Sequence, residues 1–137
     1  MADTVRKVDY FKVTVANRPG EGARILGELG DSGVNMLAFS GFPRSGKAQL
    51  DFIPENAARF KRAAKKAGLR ISAKKVAFLV QGKDRPGAVG SILKRLAKAK
   101  VNVTAVDAIT AGKGRYGTIL WVKPGAARKA AKALGAS

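Results

Sequence analysis

The stretch Asn17-Arg18-Pro19-Gly20 is repeated 67 residues later as Asp84-Arg85-Pro86-Gly87. Neighbouring residues repeat with the same offset, namely Ile25-Leu26 as Ile92-Leu93 and Val34-Asn35 as Val101-Asn102. A repeat of this length indicates two copies of one structural unit. Each tetrapeptide follows an alternating apolar run, so we expect a strand to end there and a tight turn to follow.

The signals for secondary structure come in the same order in both copies. The apolar run before the tetrapeptide is typical of a half-buried strand, and the apolar residues after it have helical spacing. A second strand is expected over about residues 33–42 and 100–109, followed by a hairpin, a third strand and a helix that begins at Pro54 or Pro124. Residues 69–73 are expected to give the first copy a fourth strand.

The hairpins are expected to differ in length. The third strand carries Leu50 and Phe52 in the first copy and Leu120 and Val122 in the second, which is an offset of 70. The second hairpin would then hold two or three extra residues.

These signals give the order β-α-β-β-α-β followed by β-α-β-β-α. We therefore predict an α+β protein with two ferredoxin-like units in tandem, at residues 8–73 and 74–137, the second lacking its last strand. The three residues after the last helix are too few for a strand. An unpaired sheet edge is expected there, and because such edges pair readily with another chain, we expect a homodimer to cover it.

The amino-acid composition excludes several kinds of catalytic and metal-binding site. The 137 residues include no cysteine and no histidine, which removes disulfides, thiolate ligands and the commonest general base. The nine acidic residues show no metal-binding spacing. We therefore expect a protein that is not an enzyme and that uses no metal or cofactor. No apolar stretch reaches the roughly 18 residues that span a bilayer, and no signal-peptide run opens the chain, so a cytoplasmic location without membrane contact is expected.

The repeated pattern resembles the ACT domain, a regulatory module of amino-acid metabolism. It consists of a βαββαβ unit with Asn/Asp-Arg-Pro-Gly after the first strand and, 15 residues after the Gly, the Asn of a Val-Asn pair. The resemblance covers about residues 8–134 and implies a regulatory protein that binds an amino acid or related small metabolite between two ACT units and acts on a protein partner. The positions it implies for ligand binding are Asn17, Arg18, Pro19, Gly20 and Asn35 in the first copy, and Asp84, Arg85, Pro86, Gly87 and Asn102 in the second.

The chemistry of these residues agrees with such a site. A helix N-terminus attracts a carboxylate, and glycine lets a ligand approach the backbone. Asp84, Asn35 and Asn102 can accept hydrogen bonds from an ammonium group. Other roles are open: Asn17 and Asp84 are common N-cap residues, the arginines can be solvated, and the two later asparagines can form turn hydrogen bonds.

The charge supports alternative functions. The formal net charge is +18, with 12 basic against 7 acidic residues in residues 1–68 and 15 against 2 in residues 69–137. Such a surface attracts nucleic acid through its phosphates. Recognition of RNA bases on this topology needs aromatic residues on the open sheet face, but Tyr10 is matched by Ala77 in the second copy. A basic nucleic-acid-binding protein and a structural dimerisation scaffold are therefore the alternatives to a metabolite-binding module.

Overall fold

The computed structural model describes residues 3–137, and its contacts divide the chain into two units. One unit is Asp9–Lys75, and the other combines Val76–Ser137 with the N-terminal segment that ends at Val8. We call them the first and the second unit. Strand β1 (Thr4–Ala16) therefore contributes its beginning to the second unit and its remainder to the first.

The first unit contains, after β1, helix α1 (Glu21–Asp31), strands β2 (Met36–Arg44) and β3 (Lys47–Pro54), and helix α2 (Ala57–Lys66). Its strands lie in the order β2-β3-β1, and both neighbouring pairs are antiparallel. The core centres on three stacked or tilted rings, with Phe11 and Phe52 each about 5 Å from Phe60 between ring centroids (5.1 and 5.3 Å). Ile25 and Leu29 of α1 complete it.

The second unit repeats this architecture. It contains strand β4 (Lys75–Lys83), helix α3 (Ala88–Lys98), strands β5 (Val103–Gly112) and β6 (Arg115–Val122), a 3₁₀ turn (Pro124–Ala126) and helix α4 (Ala127–Leu134). The strand order is β4-β6-β5, again antiparallel. Its core consists of apolar residues from the strands and from both helices, among them Phe78, Val80, Ile92, Leu96, Leu120 and Leu134. The predicted α+β class with repeated βαββαβ-like units is confirmed.

The expectation of an unpaired edge in the second unit is wrong. The beginning of β1 lies beside β4, where a fourth strand would lie. Val5 is 6% exposed and belongs to the second unit's core. The amide of Lys7 donates to the carbonyl of Ser137 (3.1 Å), and the amide of Ser137 donates to the carbonyl of Val5 (3.2 Å). The sequence did not predict this strand because Val5, Val8 and Phe11 are three residues apart and break the two-residue period of a strand.

The strand expected at residues 69–73 is also absent. This segment has no strand assignment and is joined to β1 at a single residue pair. The amide of Ser72 donates to the carbonyl of Lys12, and the amide of Lys12 donates to the Ser72 hydroxyl, both at 2.9 Å. Leu69 and Ile71 still pack against the first unit's core, which explains the apolar spacing that predicted a strand.

The second hairpin is longer by one residue, not by two or three. Phe11 pairs with Phe52 while Phe78 pairs with Leu120, so Leu120 is the counterpart of Phe52 at an offset of 68. The register shifts between Thr110 and Gly112, which is where a β-bulge takes up the extra residue.

Candidate functional site

Both repeated tetrapeptides form the turn that leads into a helix. The N-cap residues of α1 and α3 are Gly20 and Gly87, with φ angles of 86° and 83°. These left-handed conformations favour glycine. Neither helix receives a side-chain cap, so Asn17 and Asp84 are not N-caps, and Pro19 and Pro86 lie before the helix rather than in its first turn. The amides of the first helical turn are left without a capping side chain.

A cleft lies at this turn in each unit. The second cleft has a volume of about 300 Å³ and is lined by Asp84, Arg85, Gly87, the start of α3, residues 108–110 of β5, and Tyr116. The first cleft has a volume of about 240 Å³ and is lined by the end of β1, Asn17, Arg18, Glu21, Gly22, residues 41–43 of β2, Ala48 and Leu50. Because residues 41–43 and 108–110 are 67 positions apart, the two clefts occupy equivalent places in the two units.

An ion pair fixes one wall of the second cleft. Arg85 donates from Nη1 and Nη2 to the two carboxylate oxygens of Asp3 (3.2 and 3.3 Å) and from Nη1 to the carbonyl of Lys83 (2.8 Å). The Asp3 side chain is 6% exposed. Burial alone would raise the pKa of the Asp3 carboxyl, but Arg85, Tyr116 and Arg95 outweigh it and lower that pKa. Arg85 is therefore neutralised by the protein itself.

Tyr116 forms the floor of the second cleft. Its side chain is 4% exposed, and its hydroxyl makes no hydrogen bond of good geometry with any residue from 3 to 137. Burial of the phenol and the nearby Asp3 carboxylate raise the pKa of this hydroxyl. The hydroxyl therefore lies beside the Asp3 carboxylate and the Arg85 guanidinium.

In the first cleft, the first residue of the helix is acidic and its carboxylate pairs with two arginines. Glu21 is the first residue of α1, and its side chain is 12% exposed. It accepts hydrogen bonds from Arg24 and lies 3.5 Å from Arg18 Nε. The hydrogen bond from Arg24 and the positive charges of both arginines lower the pKa of Glu21. At the equivalent position of α3 the second unit has Ala88, and Arg24 is replaced by Ser91.

The structure separates Asn35 and Asn102 from the other predicted site residues of their own units. In the second unit β6 pairs with Lys83 at its Arg115 end and with Val103 at its Val122 end. The turn at Asp84 and the start of β5 at Asn102 therefore lie at opposite ends of a strand that spans about 23 Å. Asn35 instead donates from Nδ2 to Glu55 Oε2 (3.2 Å), near the end of β3.

Exposed apolar side chains lie on the two edge strands. Phe39 and Phe42 on β2 are 38% and 39% exposed, and Val106 and Ile109 on β5 are 37% and 74% exposed. These positions correspond to each other at the offset of 67, and each strand lies at the edge of its own unit's sheet. Phe42 and Ile109 also line the two clefts. The apolar rim of the cleft therefore continues onto a strand edge.

Sequence reasoning missed Asp3, Tyr116 and Glu21 as parts of the site. Asp3 and Arg85 are 82 residues apart in the chain, and nothing in the repeat links them. Glu21 had a signal, since it directly follows the first tetrapeptide and is replaced by Ala88 in the otherwise similar second copy.

Among residues 3–137, no helix is long and apolar enough to cross a membrane. No group of three or more acidic residues in the same range is arranged so that it could hold a metal ion.

Comparisons with known proteins give structural matches only. No family model matches the sequence, and no curated protein matches it. Protein BT0572 from Bacteroides thetaiotaomicron is 14% identical, with a TM-score of 0.81 over 96% of this chain and 88% of that one. The ligand-free regulatory subunit of aspartate kinase from Thermus thermophilus is 13% identical (TM-score 0.66, covering 98% and 95%), and that from Thermus flavus is 12% identical (0.65, 98% and 95%).

The chain has an ACT-type fold. Because every one of these identities is below 15%, the likeness concerns the fold and leaves the ligand and partner to be argued from the residues.

Proposed function

We propose that this protein is a non-enzymatic regulatory module that binds an amino acid, or a closely related small metabolite, in the second cleft. The observation that carries the proposal is a difference between two equivalent places. The first cleft holds a carboxylate of the protein at its helix N-terminus, whereas the second cleft has Ala88 there. A ligand carboxylate takes the corresponding position in the second cleft.

The backbone of α3 supplies the partner for that carboxylate. Val89 and Gly90 line the second cleft and belong to the first turn of α3, whose amides receive no side-chain cap. Amides at a helix N-terminus point outward and carry partial positive charge, which stabilises a bound anion. Arg85 is not needed for this role because Asp3 already neutralises it.

The opposite charge of an amino acid is matched by Asp84. Its carboxylate lines the same cleft, and its backbone amide donates to the carbonyl of Gly114 (2.8 Å), which anchors the residue. A carboxylate accepts hydrogen bonds from an ammonium group, and a charge-assisted bond of this kind is stronger than a neutral one. Tyr116 and Ile109 line the same cleft, and the exposed Ile109 side chain provides an apolar wall for the remainder of the ligand.

The first cleft is the weaker candidate. Asn17, Arg18, Pro19 and Gly20 stay predicted ligand residues from the resemblance, but Glu21 pairs with Arg18 and Arg24 and brings a negative charge of the protein itself to the first turn of α1. A ligand carboxylate would have to displace Glu21 from two arginines. We therefore expect the first unit to be structural.

A homodimer would complete the site. One ligand cannot contact both Asp84 and Asn102 of the same unit, so the predicted roles of Asn35 and Asn102 require another unit, which a second copy of the chain would supply. The exposed edges of β2 and β5, with Phe42 and Ile109 beside the clefts, are the surfaces that a second copy would cover. Ligand binding would then bias the arrangement of the two copies, and a protein partner in the cytoplasm would bind according to that arrangement.

Thermal unfolding against the twenty amino acids at millimolar concentration tests this proposal. A ligand at about 100 times its Kd adds roughly 2.7 kcal/mol to the free energy of unfolding, which is several degrees in Tm for a chain of this size. We expect one amino acid to raise the Tm selectively. Its effect should be lost in Asp84→Ala and in Ala88→Glu, which places the first unit's own carboxylate at α3, and kept in Asn17→Ala.

Two outcomes would overturn the proposal in different ways. A selective amino acid whose effect survives Asp84→Ala and Ala88→Glu but is lost in Asn17→Ala would move the site to the first cleft. A panel without any shift would leave a structural dimerisation scaffold as the better description.

A further inference from the structure

The outer surface formed by α3 and α4 is uniformly basic. Both helices pack against one core in the second unit, through Ile92 and Leu96 of α3 and Ala130 and Leu134 of α4. The side chains on their outer sides are exposed and mostly cationic. We define the α3–α4 basic face as Lys94, Lys98, Arg128, Lys129 and Lys132.

The first helix of each unit differs in charge between the two copies. Helix α1 carries Glu21, Glu28 and Asp31, and its Arg24 is bound to the first of them. At the offset of 67, Glu28 is replaced by Arg95 and Asp31 by Lys98. Two of the three acidic residues of α1 are therefore basic in α3, and the third, Glu21, corresponds to Ala88.

The cations of the basic face have no acidic neighbour on their own helices. Neither α3 nor α4 contains an acidic residue, and the ion pairs found among residues 3–137 include none of the five cations. The second unit's acidic residues lie elsewhere: Asp3 binds Arg85, Asp84 lines the second cleft, and Asp107 lies on β5.

The spacing of these cations is unfavourable for the protein alone. Lys94 and Lys98 are four residues apart on α3, and Arg128 and Lys132 are four residues apart on α4. Like charges at this spacing repel and destabilise a helix. In the first unit Glu28 and Asp31 line the same groove as Lys66 of α2, which places opposite charge near one cation of that helix. In the second unit neither helix supplies such a charge, and an external polyanion would provide it.

We propose that the α3–α4 basic face is a nucleic-acid-binding surface that holds the phosphate backbone of a duplex without reading its sequence. Lys94 and Lys98 are about 6 Å apart along the axis of α3, as are Arg128 and Lys132 along α4, and a duplex carries one phosphate per roughly 1.7 Å of its axis. Contact with phosphates needs no aromatic platform, so the lack of a repeated aromatic residue on the sheet does not oppose it. This function is separate from the amino-acid cleft.

The test measures binding to a fluorescently labelled DNA duplex of about 20 base pairs and arbitrary sequence, across a salt series. If the face contacts three to five phosphates, the slope of log K against log salt should be about −3 to −4.5. The face variant carries Lys94→Gln, Lys98→Gln, Arg128→Gln, Lys129→Gln and Lys132→Gln. Glutamine keeps helix propensity near that of lysine and arginine, so the variant should fold.

A matched control removes the same charge from the first unit. It carries Arg62→Gln, Lys65→Gln, Lys66→Gln, Arg70→Gln and Lys74→Gln, all at exposed positions. We expect the face variant to lose affinity for the duplex by about tenfold or more and to show a less steep salt dependence. The control should lose much less affinity. Circular dichroism and Tm check that both variants fold.

Three results would overturn the proposal. The wild-type protein could fail to bind the duplex at ~100 mM salt, where several phosphate contacts still give measurable affinity. The control could lose as much affinity as the face variant, which would mean a diffuse effect of net charge. Poly-glutamate of equal charge could compete with the duplex as well as unlabelled DNA does, which would favour an acidic protein as the partner.

Discussion

The Asp3 carboxylate lies directly over the backbone of Gly82. A Cβ built on Gly82 would overlap Asp3 Oδ1 and would lie 2.9 Å from Asp3 Cγ and 3.2 Å from Tyr116 Cε1. The absence of a side chain at residue 82 therefore lets the N-terminal segment reach Arg85, which lines the second cleft.

Gly82→Ala should separate Asp3 from Arg85. The added methyl group forces the carboxylate away, and overpacking of this kind costs about 1–3 kcal/mol in the free energy of unfolding. Chemical denaturation measures the loss. Gly117→Ala is the matched control, because its Cβ would meet no atom closer than the Val80 carbonyl at 3.9 Å. In an Asp3→Ala background the cost of Gly82→Ala should shrink, as in a double-mutant cycle. Equal losses in both backgrounds would contradict the steric explanation.

The repeat made the turns at Gly20 and Gly87 predictable, because two copies of one local pattern marked the same backbone change. The capping role that the sequence left open for Asp84 is not found, because the observed N-cap is the left-handed backbone of Gly87. The contact of Asp3 with Arg85 was beyond prediction, since it joins residues 82 positions apart and depends on the sheet that brings them together. The separation of Asn102 from Asp84 likewise follows from strand direction rather than from sequence spacing.

Substituting the N-cap glycines should show the cost of their backbone conformation. Gly20→Ala should lower the free energy of unfolding by about 1–2 kcal/mol, because an L side chain is strained at a φ of 86°. Gly27→Ala, at an exposed position inside α1 with no atom within 4 Å of the new Cβ, should raise it by about 0.5–1 kcal/mol. Urea denaturation of the two variants gives the comparison. A neutral effect at residue 20 would argue against the left-handed cap.

Asp51→Asn should stabilise the protein at neutral pH. Asp51 is 6% exposed and accepts a hydrogen bond from Gln49 Nε2 (3.0 Å). Burial raises the pKa of its carboxyl above the ordinary 3.8, although Gln49, Lys12, Arg44 and Lys75 act to lower it. The folded state therefore holds this proton more tightly than the unfolded state does. The carboxyl's contribution to stability is full below pH 3.8 and is lost as pH rises through the folded pKa.

Urea denaturation between acid and neutral pH tests this dependence. The asparagine keeps the oxygen that accepts a hydrogen bond from Gln49. The free energy of unfolding of Asp51→Asn should therefore equal that of the wild type at low pH and exceed it increasingly as pH rises. Asp3→Asn should behave in the opposite way. Because the pKa of Asp3 is lowered, its contribution is present above 3.8 and is lost as pH falls through the folded pKa. Parallel curves for the two variants would contradict these assignments.

Val5 should matter to the second unit although it lies at the other end of the chain. Val5→Ala removes two methyl groups from a core that includes Phe78 and Leu120, and large-to-small changes in a core cost about 1–3 kcal/mol. Arg6→Ala, at a partly exposed neighbouring position, should change the free energy of unfolding by about 0.5 kcal/mol or less. Native-state hydrogen exchange locates the effect: amides of β4 should lose protection in Val5→Ala more than amides of β2. Loss of protection confined to β2, or no loss in either strand, would mean that the beginning of β1 does not complete the second unit's sheet.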